Sequence, residues 1–202
     1  MAEIYNQVFY FTERQIAKIL NSGNQGAQKA ALANLRQGVG HIPGEIPQVW
    51  GEFLQDMPEN FYSSQNEPSR AEWAVYIALT LFALHQQGHD PAKEPMCKSG
   101  ASFGSAIARL CHSEEEKERV LRRFNTAATA SDIAEAAHHL RTLVQLLRSE
   151  SIPLDYPALA KDLYFYQNTE MAPSVRLRWG QDFYREYNSK FSKNNGEEVN
   201  HE

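Results

Sequence analysis

The sequence predicts an all-α protein made of two packed helical bundles. Apolar residues recur at i, i+3/i+4 and i+7 in each long patterned stretch, the spacing of one helical face. Helix-start signals precede several of these stretches, and glycine or proline follows them. No run alternates with the period of two that a half-buried strand requires.

In order, Thr12 and Gln15 suit a capping box for a first helix burying Ile16, Ile19 and Leu20, which NSGNQG then breaks. Residues 26–37 read as a second helix with Leu32 and Leu35 inward, and Lys29, Ala33 and Arg36 form a basic edge at i, i+4, i+7. GVGHIPGEIP is a loop, because its glycines and prolines cannot continue a helix. A short helix follows, with Val49, Trp50, Phe53 and Leu54 expected in the core, and residues 56–69 read as loop. Ser69 and Glu72 form a capping box for the strongest helix of this half, with Trp73, Ile77, Leu81 and Leu84 as one buried face ended by Gly88.

HDPAKEPMCKSG reads as a linker, dividing the chain into an N-terminal bundle over residues 1–96 and a C-terminal bundle over 97–191. Ser102 caps a helix carrying Phe103, Ile107 and Leu110. Ser113 with Glu116 caps the next, whose first-turn acids oppose the positive end of the helix dipole. Ser131 or Thr129 starts a long helix with Ile133, Ala136, Ala137, Leu140, Leu143, Val144 and Leu147 on its apolar stripe. SIPLDYP turns the chain, with Pro157 in a first turn, and Leu159, Leu163 and Tyr166 make another face. Val175, Trp179, Phe183 and Tyr187, four apart, define the last helix. Residues 192–202 are polar and expected to be disordered.

The chain has 202 residues, 42% of them hydrophobic and 22% charged, a composition of globular rather than disordered proteins. Its net charge of −5 argues against a free-standing, high-affinity nucleic-acid binder, though not against one basic face balanced by acids such as those of EEEKE. The two cysteines, Cys97 and Cys111, match neither a disulfide framework nor a zinc motif, which fits a reduced interior. No signal peptide is visible, and the most apolar run, Ala74–Leu84, is short of the roughly 20 residues of a membrane span. A cytoplasmic location is expected.

No catalytic constellation stands out. G-A-S-F-G resembles a nucleophile elbow only in its glycine spacing, and no Walker or dinucleotide fingerprint is present. His85 and His89 have the i, i+4 spacing of metal ligands, but no third ligand is evident; no metal and no cofactor is expected. Trp50, Trp73, Trp179, Tyr164 and Phe165 read as core, with Trp179 kept as a candidate for base stacking. The arginines carry more. Arg122 and Arg123 flank the ridge of Val120, Leu121 and Phe124, while Arg141 and Arg148 project seven apart from one side of the long helix. Guanidinium groups held on packed helices suit phosphate oxygens, although on composition alone solvated bundle arginines are the commoner reading.

GASFGSAIARL, LRRF, HLRTLVQLLR, IPLDYPALAKDLYFY and VRLRWGQDFY, in that order, resemble the CasB family, the small subunit of the type I-E CRISPR surveillance complex (Cascade). QGAQKAALANLR before a proline-bearing loop fits as well, so the resemblance covers roughly residues 12–191. It implies two helical bundles and a non-catalytic protein, present as a pair of copies beside other Cascade subunits and crRNA. Target and displaced DNA backbones would lie on its basic face and the R-loop would be held open. Matched by position, the nucleic-acid contacts would be Lys29, Arg36, Lys98, Arg109, Arg122, Arg123, Arg141 and Arg148. The acidic balance of the chain favours binding that depends on the assembled complex. The rival expectation is a helical adaptor whose basic face meets an acidic protein.

Overall fold

The computed structural model describes residues 3–197, and over 191–197 its backbone only. Among the described residues it holds nine α-helices and no sheet: α1 Ile4–Leu20, α2 Gln25–Gln37, α3 Trp50–Phe53, α4 Arg70–His85, α5 Phe103–Arg109, α6 Glu114–Ala128, α7 Ile133–Ser149, α8 Tyr156–Tyr166 and α9 Ala172–Glu197. The all-α expectation holds.

The helix starts follow from side chains that satisfy otherwise orphaned backbone N–H groups. Ser69 accepts from the Glu72 amide at 3.1 Å, and the Glu72 carboxylate accepts from the Ser69 amide at 2.7 Å, completing the capping box. Ser102 and Ser113 cap α5 and α6 as expected. Two starts differ. The Thr12 hydroxyl donates to the Val8 carbonyl at 2.8 Å inside α1, so the first helix begins a full two turns earlier, at Ile4. Asp132, rather than Ser131 or Thr129, caps α7 by accepting from the Glu135 amide, and Ser131 instead donates to the Glu135 carboxylate. At the other end the chain stays helical to Glu197, because nothing between Ser192 and Asn195 interrupts the backbone ladder; the rest of the expected polar tail lies outside the described residues.

α4 is the axis. Every residue from Ala74 to Gln86 is buried, and α1, α2, α7 and α8 pack around it. A helix that is apolar all round has to be enclosed on all sides. Trp73 is only half-buried and marks where this enclosure begins. Tyr156 of α8 is buried against α4, where its hydroxyl donates to the Leu81 carbonyl at 3.2 Å and lies 2.9 Å from Nδ1 of His85.

The buried core runs through residues from both sides of position 96. The stretch expected as a linker is tied down along its length. The Gln86 side chain donates to the His89 and Glu94 carbonyls and accepts from the Met96 amide. Residues 96–98 also pair with Leu154 through a single parallel bridge at Cys97.

α5 and α9 meet most closely at Gly104. A Cβ there would stand 2.0 Å from the Trp179 carbonyl oxygen and 2.9 Å from the Phe183 amide nitrogen. Around this contact Phe103, Phe124, Trp179, Phe183 and Tyr187 form one aromatic cluster. Phe61 and Phe11 pair at the opposite end of the molecule. Cys111 is buried and Cys97 half-buried; burial pushes both thiols up to about 11.

Two predictions follow from this packing. Gly104→Ala must push α9 away from α5, and overpacking of this kind costs about 1–3 kcal/mol or more; denaturant unfolding should report that loss without new secondary structure. Burial of His85 pulls its pKa down to about 4, from an ordinary value near 6.5. The unfolded chain therefore binds the extra proton first, so this contribution is complete above pH 6.5 and is lost as pH falls from about 6.5 to 4. Thermal melts across that window should fall more steeply for the parent chain than for His85→Gln.

Candidate nucleic-acid interface

α6 and α7 lie against each other and present the arginines. Val120, Phe124 and Ala127 turn α6 inward, which leaves Arg119, Arg122 and Arg123 on its exposed side. Arg119 reaches Glu115 at 4.0 Å, within its own helix. Arg122 and Arg123 have no carboxylate in ion-pair range among the described residues, although three glutamates open the same helix. Those acids are engaged elsewhere: Glu114 accepts from Tyr187 and Lys117, and Glu116 from the His112 amide. Arg123, Arg119, Leu146 and Glu150 line a cleft of about 240 Å³ between α6 and the end of α7.

On α7, Arg141 is exposed and Arg148 half-buried. Arg148 is held in place, donating from Nη1 to Gln87 at 3.0 Å while its carbonyl accepts from His89 at 3.2 Å. The loop after α2 comes up against Arg141. Gly40, with φ +88°, passes so near that a Cβ on it would sit 3.4 Å from the Arg141 guanidinium. This loop is anchored by the Tyr76 hydroxyl, which donates to the Gly38 carbonyl at 3.0 Å. It carries the end of α2, with half-buried Arg36, toward α7; burial lowers the Arg36 pKa without removing its charge. Arg141 and Arg148 thus share one side of α7, which the loop following Arg36 meets at Arg141, with Arg122 and Arg123 on the adjoining helix.

The other expected cations lie apart. Lys29 is exposed seven residues earlier on α2. Lys98 is exposed on the loop whose amide donates to Leu154, and its neighbours Cys97 and Ser99 line a cleft against α1. Arg109 donates from Nε to Glu186 at 2.8 Å and so pins α5 to α9.

Trp179, kept open for stacking on bases, is a core residue. It is 2% exposed, stacks on Tyr166 and donates from Nε1 to Asp162 at 2.6 Å. Asp162 also takes Arg178, and burial raises its pKa. Trp50, expected inside, is 47% exposed, because Val49 and Phe53 alone fill the inner side of that short helix. A four-residue helix is too short for periodicity to orient Trp50. Arg70 and Arg176 were also passed over; both lack a carboxylate partner among the described residues and lie over tyrosine rings. His85 and His89 do not converge. His85 is buried toward Tyr156, while His89 is committed to Glu94 and to the Arg148 carbonyl. Among the described residues no three His, Cys, Asp or Glu side chains stand together as a metal site, and no helix is long and apolar enough to cross a membrane.

Comparison with known proteins gives this arrangement a setting. The family model described as CRISPR-associated protein Cse2 matches residues 31–184. CasB from Thermobifida fusca is 33% identical, with 87% of this chain and 97% of that one covered at a TM-score of 0.70. CasB from Thermus thermophilus shares 22% identity over 86% and 97% of the two chains, at a TM-score of 0.62. A chain of a CRISPR RNA-guided surveillance complex shares 20% identity over 94% and 98%, at a TM-score of 0.70. These last two likenesses speak for the fold alone. No curated protein matches by sequence. With most of its length matched by the family model and a third of its residues shared with a CasB of the same fold, the chain belongs to the CRISPR-associated Cse2 family.

Proposed function

We propose that this chain is the non-catalytic small subunit of a crRNA-guided surveillance complex, holding target and displaced DNA strands by their backbones. Its partners on this reading are the other Cascade subunits with their crRNA, both DNA strands and a second copy of itself. One observation carries it. In a chain of net charge −5, Arg122, Arg123 and Arg141 are exposed on two packed helices with no carboxylate in ion-pair range among the described residues. Guanidinium groups without an ion pair on a rigid frame are ready to donate to phosphate oxygens without first breaking one. Such contacts position a strand without reading its bases. They matter most where the exchange of DNA duplex for RNA–DNA duplex is nearly balanced, because a few backbone contacts then decide how long the R-loop persists. Arg36 and Arg148 extend the same track; Lys29 and Lys98 are its outlying members, and Arg109 reaches it only by releasing Glu186.

The double variant Arg122→Ala/Arg123→Ala tests this directly. Retention of target DNA by the assembled complex should weaken for every target sequence alike. The slope of log affinity against log salt should shrink by about 0.7 for each lost single-strand contact. Melting of the isolated chain should change by no more than about 0.5 kcal/mol, as for other exposed substitutions. Unchanged retention with an unchanged slope would reject the reading.

A further inference from the structure

A second arginine pair lies away from the basic track. Arg70, Arg176, Asp132, Tyr166, Gln167 and Thr169 line a cleft of about 460 Å³ at the corner where α4, α7 and α9 begin. Asp132 is roughly 13 Å along α7 from Arg141. Both arginines are exposed, and neither has a carboxylate in ion-pair range among the described residues. Each guanidinium lies over a ring, Arg70 5.6 Å from the Tyr164 centroid and Arg176 5.4 Å from that of Tyr166. The rings beneath are fixed. The Tyr166 hydroxyl is held among the Ala127, Ala128 and Ala130 carbonyls, and its ring stacks on Trp179. Gln167 ties the start of α4 to α8 by donating to the Arg70 and Leu163 carbonyls. Ring contact restricts the arginines while leaving their N–H edges open, a preorganised double fork.

We propose that this cleft is a docking site for an acidic protein segment, one presenting two carboxylates beside an apolar side chain and supplied by a neighbouring subunit. The inference rests on the chain being part of a larger assembly. Four features favour protein over a nucleic-acid strand. Two arginine forks complement two carboxylates. Met171 and Leu177, 40% and 61% exposed, directly adjoin the lining residues Ala172 and Arg176 in the chain and offer nothing to a phosphate backbone. Arginine, tyrosine and methionine are also the residues enriched in protein interfaces. Lastly, the Asp132 carboxylate lines the same cleft and repels a continuous row of phosphates, whereas a polypeptide can meet it with a donor.

The test uses the full chain in a complex reconstituted from purified subunits, with a photoreactive benzoylphenylalanine at exposed Thr169 as the probe. The cross-link should fall on a subunit peptide rich in Asp or Glu. Arg70→Glu/Arg176→Glu should lower incorporation of the chain about tenfold, the scale of losing a charge-paired contact. Reversing the cross-linked acids to lysine should restore it. Arg70→Lys/Arg176→Lys, which keeps the charge but removes the forks, guards against misfolding and should fall between parent and reversal. Cross-linking to nucleic acid, or full incorporation of the reversed variant, would overturn the proposal. Measured alongside, Arg122→Ala/Arg123→Ala should incorporate normally and lose only DNA retention, so the two readings fail independently.

Discussion

The enclosure of α4 sets the rest of the fold. A helix whose residues are buried on every side from Ala74 to Gln86 needs neighbours all round. α1, α2, α7 and α8 supply them, although they come from distant parts of the chain. The same enclosure dictates where polar groups go. Thr80 turns its hydroxyl back to the Tyr76 carbonyl, Tyr76 reaches Gly38, and Gln86 satisfies three backbone groups of the following loop. Each bond answers the desolvation of a buried polar group. Those of Tyr76 and Gln86 also fix loops that would otherwise be set only by their ends. The anchoring of Gly38 is what brings the end of α2 to Arg141.

Charge on this chain is therefore a local matter rather than a compositional one. The glutamates at the start of α6 are drawn to its amide end and to Tyr187, Lys117 and Arg119, which leaves Arg122 and Arg123 without a carboxylate in ion-pair range among the described residues. Helix geometry separates the two signs. The acids occupy the first turn, where the dipole favours them, and the arginines follow on the side turned away from Val120 and Phe124. A net negative protein thereby keeps a positive surface even on α6, where glutamates balance the cations along the helix as a whole. Arg109 and Arg178 show the opposite outcome, since packing of α9 brings Glu186 and Asp162 to them.

Much of the fold was legible because long amphipathic stretches and Ser-capped starts are local signals. The stripe of Val175, Trp179, Phe183 and Tyr187 is buried as its spacing implied, and Ser69, Ser102 and Ser113 cap where expected. What was missed depends either on ambiguous local signals or on contacts between distant residues. Thr12 looks like a cap until its hydroxyl is seen bonded inside α1. Trp50 and Trp179 are the same residue type in apolar surroundings, yet four residues of helix cannot orient one as twenty-six orient the other. For the candidate surface, the sequence supplied the arginines and their helices. Whether each meets a carboxylate is decided by tertiary packing, which periodicity does not encode. Arg70 and Arg176 were invisible for the same reason, being more than 100 positions apart.

The two thiols carry a separate consequence. With Cys97 and Cys111 both pushed up to about 11, almost none of either is thiolate at neutral pH, and Cys111 is sealed beneath the α5–α9 corner. Nucleophilic sulfur is thiolate sulfur, so both side chains are chemically silent while the molecule is closed. Cys111 reacts when that corner opens, whereas Cys97, half-buried beside the Leu154 bridge, samples a different edge. The pair amounts to two built-in clocks for local opening, one at the Leu154 bridge and one under α9, that need no engineered label.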